Sequence, residues 1–326
     1  MKRLSVVGLL FSLLLLAGGL RAPGAARSSL AYHWPVKPFD RQHPVRGVFG
    51  DPRTLAVDQP FGVTRPYDSG AYSFHSGVDI VAAPGTPVYP VVSGRVVKAG
   101  GHTIVVDSSG KRTFQYVHLR SNVELGQEVV AEQTVIGWIQ RPFNHVHLTE
   151  IDNHRDQNPL ARGHLEPYDD YTTPRAIALD FDNGHSPKLT VGGRLSRGDA
   201  LAIEAVDQPA MPVRGRFAGL PQTPALVEWR LRSGRHWSVW HTAVDFRKTV
   251  PSPRHFWDVY AAGTFQNSPV FARRLCQGVA GLYLFRVGLD TSRLRAGTYE
   301  IEARVSDIRG NSSRTTWPLV IPGTYT

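Results

Sequence analysis

Two short stretches of this chain carry residue types that bind metal ions: "FHSGVDI", Phe74 to Ile80, and "NHVHLTEI", Asn144 to Ile151. The first sets His75 and Asp79 four residues apart around Gly77. The second sets His145 and His147 one residue apart inside a strand-like run. Side chains at i and i+2 of a strand share a face, with Cα atoms about 7 Å apart, so two imidazoles there converge on one ion or line one groove. Neither stretch is specific by itself. Together they offer what Zn²⁺ accepts, neutral imidazole nitrogen and carboxylate oxygen, and a catalytic zinc site needs three such ligands and one open position. His75, Asp79 and one histidine of the pair make up that set, and the spacing does not choose between His145 and His147. Hydrolysis also needs a proton acceptor and a group that steadies the developing oxyanion. His118, in "FQYVHLRS", is a candidate on a further strand-like run.

The elements that must position these residues read as β-strands. From Val45 to Leu160 the chain alternates short apolar runs with turn residues, as in "HTIVVDSSGKRTFQYVHL", where "DSSGK" is a hairpin-type turn. No window sustains a helical period. Residues 161–186 are rich in Asp, Pro and Gly and read as a connector. Strand patterning returns over 187–323: in "YEIEARV" Tyr299, Ile301, Ala303 and Val305 alternate with charged residues, so one face is buried. Repeated short strands predict a second all-β domain, an immunoglobulin-like β-sandwich, with Trp229, Trp237, Trp240 and Phe246 in its core. Residues 27–44 read as an extended, proline-broken arm.

The chain has 326 residues, 41% hydrophobic and 20% charged, which fits two globular domains and excludes a disordered polymer. "MKR", the apolar run Leu4–Leu20 and the small residues to Ala26 have the layout of a secretory signal peptide over 1–26, with a retained anchor as the alternative. The expected location is therefore the periplasm, cell envelope or extracellular space. The formal charge is +10, and +7 without Lys2, Arg3 and Arg21 (10 − 3). A basic exported protein is biased toward anionic surfaces such as wall polymers. The arginines are scattered and no nucleic-acid motif is present, so nucleic acid is not an expected partner. The single cysteine, Cys276, has no disulfide partner in the chain and is expected to pack as a small apolar residue.

"HSGVDIVAAPGTPVYPVVSGRVV", "YVHL" and "HVHLTEI", in that order, resemble the lysostaphin-type (LytM-like) zinc metallopeptidases, which act on bacterial peptidoglycan. "RGVFGDPR", Arg46 to Arg53, is similar to that family's opening strand and turn. The resemblance covers residues 45–160 and implies an antiparallel β peptidase domain of the duplicated hybrid motif type. It implies zinc ligation by His75, Asp79 and His147, with His145 and His118 beside the metal as base and transition-state stabiliser. The implied activity is endopeptidase hydrolysis of stem or bridge peptides. Two departures from the family pattern are Asn144, where proline is usual, and "HLTE" in place of "HFE". Alternatives are a wall-binding or regulatory module without turnover and a metallopeptidase acting on protein substrates.

Other polar residues receive simpler readings. Glu150 lies an odd number of residues from His147 and falls on the opposite strand face. Ser108 and Lys111 have S-x-x-K spacing without companion motifs and belong to a turn. His102 and His154 are expected to be solvated or structural.

Overall fold

Alternation of apolar residues with polar ones marks Arg112–Val117 and the start of His145–Asp152, and β-branched residues dominate Val78–Val81 and Thr103–Asp107. In Thr103–Asp107, Ile104 and Val106 are fully buried, and in Arg112–Val117 the same holds for Phe114 and Tyr116. In His145–Asp152, Val146, Leu148 and Glu150 point to the core while His145, His147 and Thr149 share the other face. Each such aliphatic side chain contributes roughly 1.5–3 kcal/mol through burial. The turn between Asp107 and Arg112 closes because Asp107 Oδ1 accepts from the N–H groups of Ser109 and Gly110. Gly110 there takes φ +72°, a left-handed conformation that glycine adopts without strain.

The chain is seen as a computed structural model that describes residues 31–55, 63–64, 71–182, 188–189, 200–268 and 280–323. The leader over 1–26 and Cys276 lie outside the described residues. Among the described residues the fold is all-β and antiparallel, with one α-helical turn, Phe256–Val259. The largest sheet runs in the order Val45–Gly47, Val78–Val81, His145–Asp152, Arg112–Val117, Thr103–Asp107, Gly94–Gly100, Glu128–Val129, and Arg155–Gln157 also pairs with His145–Asp152. The strands Val78–Val81 and His145–Asp152 pair in a register that sets Asp79 opposite His147 and Val81 opposite His145. Between Val45 and Gly47 the register slips, making Arg46 the extra residue of a bulge against Asp79 and Ile80. Bulges re-aim side chains.

The arm is part of the fold. Tyr32, Trp34 and Val36 are buried in the first core, and the Tyr32 hydroxyl donates to Glu150 Oε2 at 2.7 Å. Glu150 also meets His164 Nδ1 at 2.7 Å and Arg112 Nε at 2.8 Å, on the face turned away from His147.

In the second half two antiparallel sheets share one core. Arg175–Asp182, Ala200–Val206 and Leu284–Val287 lie in one sheet, and Leu226–Ser233, Gly297–Ser306 and Ser312–Ile321 in the other. Arg175–Asp182 falls in the segment read from composition as a connector. Its inward residues include Ala176 and Ala178, whose small side chains give little apolar signal. Trp229 and Phe246 are buried, as expected, but Trp237 and Trp240 are not part of that core. They stand against Arg230 at 4.4 and 4.5 Å, because Glu228, Arg230 and Arg232 occupy the strand face opposite Val227 and Trp229. Phe49, Tyr72 and Phe74 of the first half lie in the core of the second.

Candidate metal centre

The site forms where Phe74 leaves its strand and the chain enters Val78–Val81. His75 N–H donates to Asp51 O at 2.8 Å and His75 O accepts from Gly50 N–H at 2.9 Å, which fixes the backbone there. Phe74 anchors the same point from below, with its ring 5.4 to 5.9 Å from Phe246, Phe256 and Tyr260. Gly77 lets the strands close: a Cβ at that position would stand 2.2 Å from Leu148 O. His75 Nδ1 then meets Val48 O at 2.8 Å and must donate to it, which leaves Nε2 bare and turned inward.

His75 Nε2 lies 2.8 Å from His147 Nδ1, and these two atoms lie 3.3 and 3.1 Å from Asp79 Oδ1. One ligand atom from each of His75, Asp79 and His147 falls within 4.8 Å of the others. His147 Nε2 meets Thr149 Oγ1 at 2.7 Å; a proton held there leaves Nδ1 bare as well. Two bare imidazole nitrogens and one carboxylate oxygen, aimed at one point and nearly buried, fit a zinc ion by donor chemistry.

Asp79 Oδ2 is held by two guanidinium groups, Arg46 Nη2 and Arg53 Nη2, each at 3.0 Å. Burial opposes the charge on Asp79, yet Arg46, His75 and His145 outweigh it and hold the carboxyl well below its usual range. Burial, reinforced by Arg53, lowers the His75 pKa to about 3. Burial lowers His118 to about 4 against the pull of Asp79, and burial also holds His145 well below its usual range, with Arg46 adding to the effect. All three rings are neutral at neutral pH and keep a nitrogen lone pair. Asp51, buried beneath the site and paired with Arg53, is raised to about 6, chiefly by burial.

His118 and His145 adjoin the cluster. Their ring centroids are 4.5 Å apart, and His118 stacks on Phe143 at 3.9 Å. His118 has φ +72°, a left-handed backbone costly for a non-glycine residue. It interrupts the run between Arg112–Val117 and Leu119–Ser121 and turns the imidazole toward His145. His145 Nδ1 is buried without a partner. His102 bonds Gln140 through its Nδ1 at 2.8 Å, and His154 is exposed.

Four polar residues at the site were not singled out from sequence. Arg46, Asp51 and Arg53 lie in "RGVFGDPR", where only the strand-and-turn pattern was legible. Thr149 shares a strand face with His147 at i+2, a signal that was available. A second group of three buried carboxylates, Asp170, Asp207 and Asp307, adjoins a cavity of about 20 Å³ between the two halves. Its members are tied to local N–H groups, Asp307 Oδ1 to those of Arg309, Gly310 and Asn311.

An antiparallel sheet that gathers the H-x-x-x-D and H-x-H residues at one point, with a Y-x-H-L histidine beside them, defines a peptidase domain of the lysostaphin (LytM-like) type. Residues 73–159 match the model of peptidase family M23, and the chain carries a domain of that family there. Over 168 residues the chain is 27% identical to glycyl-glycine endopeptidase ALE-1 of Staphylococcus capitis. That alignment covers 47% of this chain and 44% of the relative, so less than half of the relative's length is spanned. Among solved structures, the catalytic domain of the antimicrobial peptidase lysostaphin from Staphylococcus simulans is 28% identical, with 34% of this chain and 90% of that one covered and a TM-score of 0.25. A zinc-containing peptidase from Vibrio cholerae is 21% identical, with 39% of each chain covered and a TM-score of 0.30.

Proposed function

We propose that this protein is an exported zinc-dependent endopeptidase that hydrolyses peptide bonds in bacterial peptidoglycan. The observation that carries this reading is the convergence of His75 Nε2, His147 Nδ1 and Asp79 Oδ1, with His118 and His145 alongside. His75, Asp79 and His147 hold the metal in this reading. Zinc, when bound, supplies a Lewis acid for the scissile carbonyl and lowers the pKa of a water toward ~7.

The remaining work falls to the protein's own side chains. Neutral His118 and His145 form the proton-handling pair, each uncharged before reaction and able to exchange one proton. Phe143 holds the His118 ring in plane, and the two arginines keep Asp79 ionised with Oδ1 facing the imidazoles. We read residues 1–26 as a cleaved leader, which carries the enzyme to the wall, and the β-sandwich, extended to include Arg175–Asp182, as an immunoglobulin-like module that braces the site. Among the described residues no helix is long and apolar enough to cross a membrane.

The test is digestion of purified peptidoglycan sacculi with and without chelator, followed by mass analysis of the fragments. New amino termini within stem or bridge peptides, lost with chelator and restored by zinc, are expected. Intact sacculi under all conditions would leave a non-catalytic wall module, and cleavage of casein alone a peptidase for protein substrates.

A further inference from the structure

Arg46 sits in a β-bulge, and the bulge turns its side chain into the candidate site. Its Nη2 reaches Asp79 Oδ2 and His145 Nε2, both at 3.0 Å. A guanidinium only donates, so His145 Nε2 accepts, and the ring proton is on Nδ1. That Nδ1–H is the buried atom without a partner. Arg46 therefore sets both the orientation of His145 and its tautomer, with Nε2 on the side of Asp79 Oδ1 at 3.6 Å.

What holds Arg46 comes from the other half of the chain. The Phe217 ring lies under its guanidinium at 4.3 Å. Asn267 Nδ2 donates to Arg46 O at 2.8 Å, and Gln222 Nε2 donates to Val45 O at 2.6 Å. The bulge and its side chain are thus fixed by three residues more than 170 positions downstream. A long, flexible side chain stacked and hydrogen-bonded in this way is pre-organised, with its rotamer entropy already lost.

We propose that the C-terminal half is a working part of the active centre: through Phe217 it positions Arg46, which fixes the ring of His145 with its proton on Nδ1 and its bare Nε2 turned to the metal ligands. Arg46 and Phe217 are positioning residues. His145 thus faces the ligand cluster with its bare Nε2, 3.6 Å from Asp79 Oδ1, while its Nδ1–H stays buried. This assignment rests on the peptidase reading above and refines the roles within it.

The experiment uses the full mature chain and the variants Arg46→Gln, Phe217→Ala and Phe217→Tyr. Zinc content, the thermal melt, kcat and KM are measured for each. With zinc supplied to saturation, Phe217→Ala and Arg46→Gln should lose kcat by about 10- to 100-fold with little change in KM, while Phe217→Tyr, which keeps an aromatic face, restores it. A second readout needs no activity. In ¹⁵N-histidine spectra, with the His145 signals assigned by their loss in His145→Gln, wild type should show a protonated Nδ1 and a bare Nε2. That bias should weaken in Arg46→Gln and Phe217→Ala. Wild-type His145 signals in folded Arg46→Gln, or kcat within about twofold of wild type in both variants, overturn the proposal. If Phe217→Ala does not fold, Arg46→Gln decides by the same readouts. If wild type cleaves nothing, the peptidase reading fails and the spectra alone decide whether Arg46 governs His145.

Discussion

Asp79 and His147 stand directly opposite each other in adjacent antiparallel strands, with His147 Nδ1 3.1 Å from Asp79 Oδ1. Two donors from sequence positions 68 residues apart are thus brought together by register alone. A slip of one residue would place Leu148 or Val146 opposite Asp79 and turn His147 into the core. The buried residues Val146 and Leu148 guard against that slip, because it would turn both out of the core.

The two kinds of histidine separate by assay. His147→Ala should remove zinc and all hydrolysis, whereas His118→Ala should bind zinc normally and lose about 10²- to 10⁴-fold in kcat. Metal analysis of dialysed protein, alongside fragment release from sacculi, checks both. Equal zinc loss in the two variants would contradict the division of roles.

Thr149 orients His147 without belonging to the ligand set. Thr149→Val keeps the shape but removes the hydroxyl 2.7 Å from His147 Nε2. Zinc affinity should fall by about 10- to 100-fold, as read by competition with a chromogenic chelator, and Thr149→Ser should retain it.

Glu150 is buried, 1% exposed, and joins the arm to the sheet through Tyr32, His164 and Arg112. Removing one member of such a network costs about 3–5 kcal/mol. Glu150→Ala should lower stability by that amount in urea melts and free the arm for proteolysis near Tyr32. The zinc content of the folded fraction should stay the same, since Glu150 faces away from the site.

Asp207 predicts a pH effect far from the metal. Burial first, then the neighbouring Asp170 and Asp307, raise its pKa from 3.8 to about 8. The folded protein thus keeps a proton that the unfolded chain loses near pH 4. The stability this contributes is full below that pH and is lost as pH rises toward about 8. Asp207→Asn, which keeps the Gln208 N–H bond to Oδ1, should melt progressively higher than wild type from pH 5 to pH 8 and hold that gain above. Parallel melting curves across this range would show that Asp207 is ionised throughout.

The strands of the first half and its three-donor cluster were legible in sequence because both obey short periods. Alternation marks Arg112–Val117, and H-x-H falls on one face of a strand. Arg46 was not legible, since its aim depends on a bulge that appears only when Val45–Gly47 pairs with Val78–Val81. Phe217 is further still from any local signal: its role needs a chain reversal that brings it under a residue 171 positions earlier (217 − 46). Trp237 and Trp240 were misplaced because an indole signals burial in general but not which face of a strand its arginine neighbours occupy.

Phe49, Tyr72 and Phe74 belong by sequence to the peptidase half and by packing to the core of its companion. An aromatic ring of this kind buries roughly 150–250 Å². A gene fusion that joined residues 45–160 to some other neighbour would bring three bare rings to the surface and leave holes in the domain left behind. Recombination at the connector is therefore penalised on both sides of the cut.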